Sequence, residues 1–221
     1  SAITTAGVRQ TTFGSAVANG SVVSSNLFIG NVSLGGLGST VVHLGGSEQI
    51  ANNTVLRFDG GNGLAATGNG GNNPYFKLMG FDETVGGLSD FTASGVIENS
   101  EGEAISRSGT LTIQTAAGKD YSFNGFLRNR ANNDGTGLLN LVVTGSGTQS
   151  LALGNINYSG STTITSGARL NLRTTNNFNS FVRNDGVLGL QTVNDTLNFN
   201  KIVTGSGSVI RDGGSGTLNI G

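Results

Sequence analysis

The chain has 221 residues, of which 38 are glycine, one is proline and none is cysteine, and its 12 basic and 13 acidic side chains leave a net charge of -1. So few and so balanced charges supply no basic field for nucleic acid, and the absence of cysteine excludes disulfides and thiolate metal sites. Glycine at over twice its usual share of about 7% approaches low-complexity composition, yet Val, Ile, Leu and Phe recur in alternation with almost no self-repulsion, so the chain is expected to fold.

Strand signals run along the chain as short alternations bounded by Gly, Asn, Ser and Asp. Val41-Val42-His43-Leu44 is an early example. Residues 59 to 73, Gly- and Asn-rich and ended by Pro74, are expected to project as a loop. Leu111-Thr112-Ile113-Gln114-Thr115, Leu151-Ala152-Leu153, Thr162-Thr163-Ile164-Thr165, Leu197-Asn198-Phe199-Asn200 and Leu218-Asn219-Ile220 follow. Apolar residues nowhere hold a 3.6-residue period for three turns. The expectation is one all-β unit over residues 1–221, part of a larger or polymerised protein. No basic region followed by an apolar one opens at Ser1, so an export signal is expected to have been removed or to lie outside the sequence. No apolar run nears the roughly 20 residues that span a bilayer, so this segment is not expected to enter a membrane.

One two-part phrase recurs four times. It opens at Gly95-Val96-Ile97-Glu98-Asn99, Gly125-Phe126-Leu127-Arg128-Asn129, Ser180-Phe181-Val182-Arg183-Asn184 and Ser208-Val209-Ile210-Arg211-Asp212. It is answered by Gly-led strands at Gly109, Gly137, Gly186 and Gly216. The steps from Gly95 to Gly125 and from Ser180 to Ser208 are similar, and the step from Gly125 to Ser180 is nearly double, as if one copy had decayed to Gly167-Ala168-Arg169-Leu170-Asn171-Leu172. Val143-Thr144-Gly145-Ser146-Gly147 returns as Val203-Thr204-Gly205-Ser206-Gly207, an interval read as two such periods. A period of roughly 20 to 30 residues suits one coil of a parallel β-helix, whose turns stack about 4.8 Å apart, and the phrase itself sets it near 30. Gly, Asn and Asp then supply the corners. Asn99, Asn129, Asn184 and Asp212 can form a partial amide ladder or act only as turn residues. Arg128, Arg183 and Arg211, sharing a column with Glu98, are expected to point to solvent.

Gly145-Ser146-Gly147, Leu151-Ala152-Leu153, Tyr158-Ser159-Gly160-Ser161-Thr162-Thr163-Ile164, Gly167 and Leu170 resemble the autotransporter-associated β-strand repeats of bacterial exported surface proteins. Leu44 to Ile50 and Gly80-Phe81-Asp82-Glu83-Thr84-Val85-Gly86-Gly87-Leu88 resemble a second phrase of that family. The resemblance covers about residues 41–221, with irregular spacing between Leu153 and Tyr158 and between Gly167 and Leu170. It implies a right-handed parallel β-helix, secreted and exposed on a bacterial cell surface as stalk or adhesive passenger, and it brings no catalytic motif.

Chemistry has few places to sit. His43 is the only histidine, and its strand setting favours a structural role. Gly145-Ser146-Gly147 and Gly205-Ser206-Gly207 read as repeat turns, not nucleophile elbows. β-Helices can host polysaccharide-cleaving enzymes built on clustered carboxylates. The densest acidic group is Asp82, Glu83 and Asp90, with Glu98, Glu101 and Glu103 nearby, and a solvated face is the competing reading. Gly60-Gly61-Asn62-Gly63 starts like a calcium nonapeptide, but Ala65 stands where Asp is needed. Thr110-x-Thr112 and Thr163-x-Thr165 read as strand formers before ice-binding ranks. No catalytic, cofactor or metal residue is assigned. The expectation is a non-enzymatic scaffold and display surface, its partners being coils of the same or identical chains and a surface glycan or a host or neighbour cell protein. A filament or sheath subunit and a polysaccharide-cleaving enzyme are the alternatives. Because Ile220-Gly221 falls in mid-repeat, the last coil is expected to continue into further sequence or to stack on another copy.

Overall fold

The structure, a computed structural model, describes residues 9–13, 26–30, 40–59, 73–91, 93, 95–100, 105–130, 136–152, 156–173, 178–192 and 196–221. Every regular element among them is a strand, and every strand pair is parallel. The first sheet is ordered β1 (Arg9–Phe13), β3 (Thr40–Leu44), β5 (Tyr75–Lys77), β8 (Val96–Ser100) and β11 (Phe126–Arg130). The second is β6 (Glu83–Val85), β9 (Gly109–Thr115), β12 (Leu139–Gly145), β14 (Thr162–Ile164), β16 (Val182–Asn184) and β19 (Val203–Thr204). The third is β10 (Asp120–Phe123), β13 (Thr148–Leu151), β15 (Arg169–Leu172), β17 (Val187–Leu190) and β20 (Ser208–Arg211). Two smaller sheets are β2 (Asn26–Gly30), β4 (Val55–Asp59) and β7 (Gly87–Asp90), and β18 (Leu197–Phe199) with β21 (Leu218–Ile220).

The chain returns to these sheets in rotation. β8, β9 and β10 enter the first, second and third sheets, and β11, β12 and β13 enter them again in that order. Alternation along each strand sends one set of side chains to a shared core. Val85, Ile113, Val143 and Ile164 face one another across the second sheet, as do Phe123, Leu151, Leu172 and Leu190 across the third, and all eight are buried. Each such side chain contributes about 1.5–3 kcal/mol by leaving water.

The repeat spacing differs from its sequence reading. Gly109 faces Leu139 and Val96 faces Phe126, both at an offset of 30. Leu141, Thr162, Val182 and Val203 then follow at offsets of 21, 20 and 21. Nothing has decayed at Gly167–Leu172: Arg169–Leu172 is β15, paired on both sides. The two Val-Thr-Gly-Ser-Gly segments lie three strand steps apart, not two. The long interval comes from aligning strands of different sheets, since the opening phrases fall on β8, β11, β16 and β20.

The Asn and Arg positions separate for the same reason. Asn99 and Asn129 occupy neighbouring strands, whereas Asn184 lies in the second sheet and Asp212 follows β20, so the four share no column. Their amides hold backbone instead: Asn99 accepts from Gly80 N at 3.0 Å and donates to Arg107 O at 3.0 Å, and Asn129 accepts from Leu139 N at 3.0 Å. Arg183 and Arg211 are exposed, but Arg128 is buried. Its Nε lies 2.7 Å from Glu98, whose opposite charge in the facing position draws it in. The Gly-Ser-Gly turns bend the chain between the second and third sheets. Gly145 and Gly205 have φ of 86° and 106°, and a β-carbon on either would strike the carbonyl of Thr115 or Asn184 on the strand beneath.

The sheet of β2, β4 and β7 abuts the third sheet where β7 meets β10. Gly87 has no side chain because the Tyr121 ring fills that space. The buried Gln149 side chain bridges the gap, accepting from Leu88 N at 2.9 Å and donating to Leu88 O at 3.1 Å. Gln149→Leu is therefore expected to strand two buried backbone groups and lower stability by about 1–3 kcal/mol, read from the urea midpoint at unchanged slope.

Candidate binding groove on the third sheet

On β10, β13 and β15 the outward positions are polar, while the inward ones are Phe and Leu apart from Tyr121 and Gln149. Asp120, Thr148 and Arg169 form one outward column and Ser122, Ser150, Asn171 and Gly189 the next. Except for Gly189, these residues line a groove of about 390 Å³ with Tyr121, Gln191 and Asp212, within the range of small-ligand sites, roughly 300–1,000 Å³.

One side of the groove is tied together. Arg169 pairs with Asp212 through Nη2 and donates from Nε to Asn171 Oδ1 at 3.0 Å. Gln191 donates to Asp212 Oδ2 at 3.1 Å, and Asn171 to Ser150 Oγ at 3.3 Å. Glycine at position 189 accommodates this arrangement, since a β-carbon there would collide with Asn171 Oδ1 and crowd Asp212 Cβ. On the other side, the Asp120 carboxylate and Thr148 hydroxyl have no partner among the described residues.

The acidic cluster read from the sequence does not converge. Asp82 accepts from Thr110 N at 2.8 Å. Glu83 is buried at the inner side of β6, its two oxygens accepting from Gln49 N at 2.8 Å and Ile50 N at 3.1 Å. Asp90 accepts from Asn124 N and Nδ2, both at 3.0 Å. Glu98 lies between Lys77 and Arg128 on the first sheet, where His43 faces Lys77 across β3 and β5. Each carboxylate serves a link between neighbouring segments. Glu101 and Glu103, residues 60–72 of the expected loop and Leu153 lie outside the described residues; Asp59 ends β4 and Asn73 is buried. Among the described residues no group of three His, Cys, Asp or Glu is placed to hold a metal. Threonines isolated in sequence share an outward column of the second sheet, Thr84, Thr112, Thr163 and Thr204, interrupted by Val142 and Arg183.

Burial pushes the Glu83 carboxyl up to about 7, against the backbone amides of Gln49, Ile50 and Thr84 that hold it down, and burial likewise raises Asp90 against its bonds from Asn124. The folded chain therefore binds more protons than the unfolded chain between the ordinary Glu value of 4.5 and about 7. Stability should fall as pH rises through that window, by on the order of 3 kcal/mol from Glu83. Urea unfolding at pH 5 and pH 8 measures this, and Glu83→Gln should remove most of the difference.

The groove residues escape a sequence reading because the longer period does not align their four strands. Asp120 faces Thr148 at an offset of 28 and Thr148 faces Arg169 at one of 21, and this change of offset brings Asp120, Ser150, Asn171 and Asp212 together. No protein-family model, curated protein or solved structure matches the chain.

Proposed function

We propose that the chain is a right-handed parallel β-helix of the autotransporter-associated β-strand repeat kind, serving as stiff scaffold and display surface of a bacterial extracellular surface protein. The observation that supports this reading is the rotation of successive strands through parallel sheets, at offsets of 30 between β9 and β12 and of 21 between β12 and β14. A coil that climbs one strand spacing per circuit produces that order, and each coil would lengthen the rod by about 4.8 Å. Glycine-rich corners, polar outward columns and an apolar inner column per sheet suit the same design. The mechanism is mechanical: a rod holds outward-facing side chains at fixed spacing, where glycans or cell-surface proteins can meet several at once.

Antibody labelling of intact and lysed cells making the full-length protein tests the location. Labelling of intact cells is expected; signal only after lysis contradicts it. Electron microscopy across a range of protein concentrations should give short rods of constant length, whereas lengthening with concentration would favour a filament or sheath subunit.

A further inference from the structure

We propose that the groove on the third sheet binds a neutral oligosaccharide. The proposal rests on the reading of the chain as an extracellular display surface and gives that surface a ligand class.

Charge narrows the class first. Two carboxylates, Asp120 and Asp212, face one guanidinium, Arg169, which is already paired with Asp212. A phosphate or acidic sugar would therefore meet net repulsion and an occupied arginine. Tyr121 apart, the lining is hydroxyls, amides and charges, which offers little to an apolar ligand. A neutral ligand rich in hydroxyls, each able to donate and accept, matches this set.

Organisation of the groups supplies the second argument. Asn171 and Gln191 are already fixed by bonds to Ser150 and Asp212, so binding would order few side chains. Across the groove the Asp120 carboxylate can accept and the Thr148 hydroxyl can donate or accept, and neither has a partner among the described residues.

The test titrates isotope-labelled protein with cellotetraose, maltotetraose and mannotetraose, and with trigalacturonate as the acidic comparison, following backbone amide shifts. At least one neutral tetrasaccharide should give saturable shifts confined to β10, β13, β15 and β17. Asp120→Ala and Thr148→Arg should each weaken that binding by about tenfold or more, equivalent to about 1.4 kcal/mol, with thermal unfolding unchanged. Absence of saturation by all three neutral sugars overturns the proposal. So does tighter binding of trigalacturonate, or saturable binding that both variants leave intact. Electron micrographs of the same sample keep the two readings separate: rods that bind none of the sugars remove the site and leave the scaffold standing.

Discussion

Glu98→Ala is expected to destabilise the protein by about 3–5 kcal/mol, the range for removing one partner of a buried ion pair. Glu98 lies on β8 with Lys77 Nζ 3.3 Å away on β5 and Arg128 Nε 2.7 Å away on β11, and all three are buried. Both faces of the first sheet are covered here. Phe76, Ile97 and Leu127 enter the main core, while Val41, Tyr75 and Val96 form a second cluster on the face that carries the charges. Lys77 also sits 5.0 Å from the Tyr75 ring. Removing the carboxylate takes from both buried cations the partner they share. Replacing all three by apolar residues, Lys77→Met, Glu98→Leu and Arg128→Met, should recover part of the loss, because buried cations then leave together with the carboxylate. Urea midpoints at constant slope measure both, and a loss under about 1 kcal/mol for Glu98→Ala would mean the pair is solvated.

Phe178→Ala is expected to cost about 3–5 kcal/mol, as for other buried aromatics truncated to alanine. Tyr158, Phe178 and Phe199 form an inner column, with ring centroids 5.9 Å apart edge-to-face and 6.3 Å apart stacked. Beneath it a hydroxyl chain runs from Tyr158 to Thr162 at 2.6 Å and on to Ser180 at 2.7 Å, and Ser180 donates to Gly160 O at 2.5 Å. Burial raises the Tyr158 hydroxyl above its ordinary value. A cavity at Phe178 would remove a contact from the rings on either side. Phe181→Ala, only three residues on, should change stability by less than about 0.5 kcal/mol, since Phe181 is 67% exposed. Equal losses at the two positions would contradict the inner column.

That pair of phenylalanines shows what the sequence allows and what it does not. The alternation at Leu111–Thr115 and Leu197–Phe199 and the glycine-rich corners are legible, because a period of two and a left-handed turn are local properties. Partnership between strands is not local. The neighbours Val182-Arg183-Asn184 match Phe181 to Phe126, yet Phe126 packs on the first sheet and Val182 begins a strand of the second. The inner aromatic at that level is Phe178, aligned with Tyr158 and Phe199 by the shorter period that the recurring phrase conceals. A column read as like-charged sends Arg128 to solvent, although its facing residue is Glu98. The groove stays hidden for the same reason, being assembled from strands whose offsets change from 28 at β10 and β13 to 21 at β13 and β15.

Disulfide trapping in the cysteine-free chain tests the strand order most directly. Thr163 faces Arg183 on the adjacent strand, and Thr204 lies one strand further. Parallel neighbours about 4.8 Å apart fall within the Cα separation a disulfide accepts, about 4.4–6.8 Å, whereas strands two steps apart do not. The Thr163→Cys, Arg183→Cys variant should oxidise to an intramolecular disulfide in folded protein, and the Thr163→Cys, Thr204→Cys variant should stay reduced under the same conditions. A free thiol pair in the first variant, or cross-linking only in the second, would contradict the order of strands on which the proposed scaffold and the groove depend.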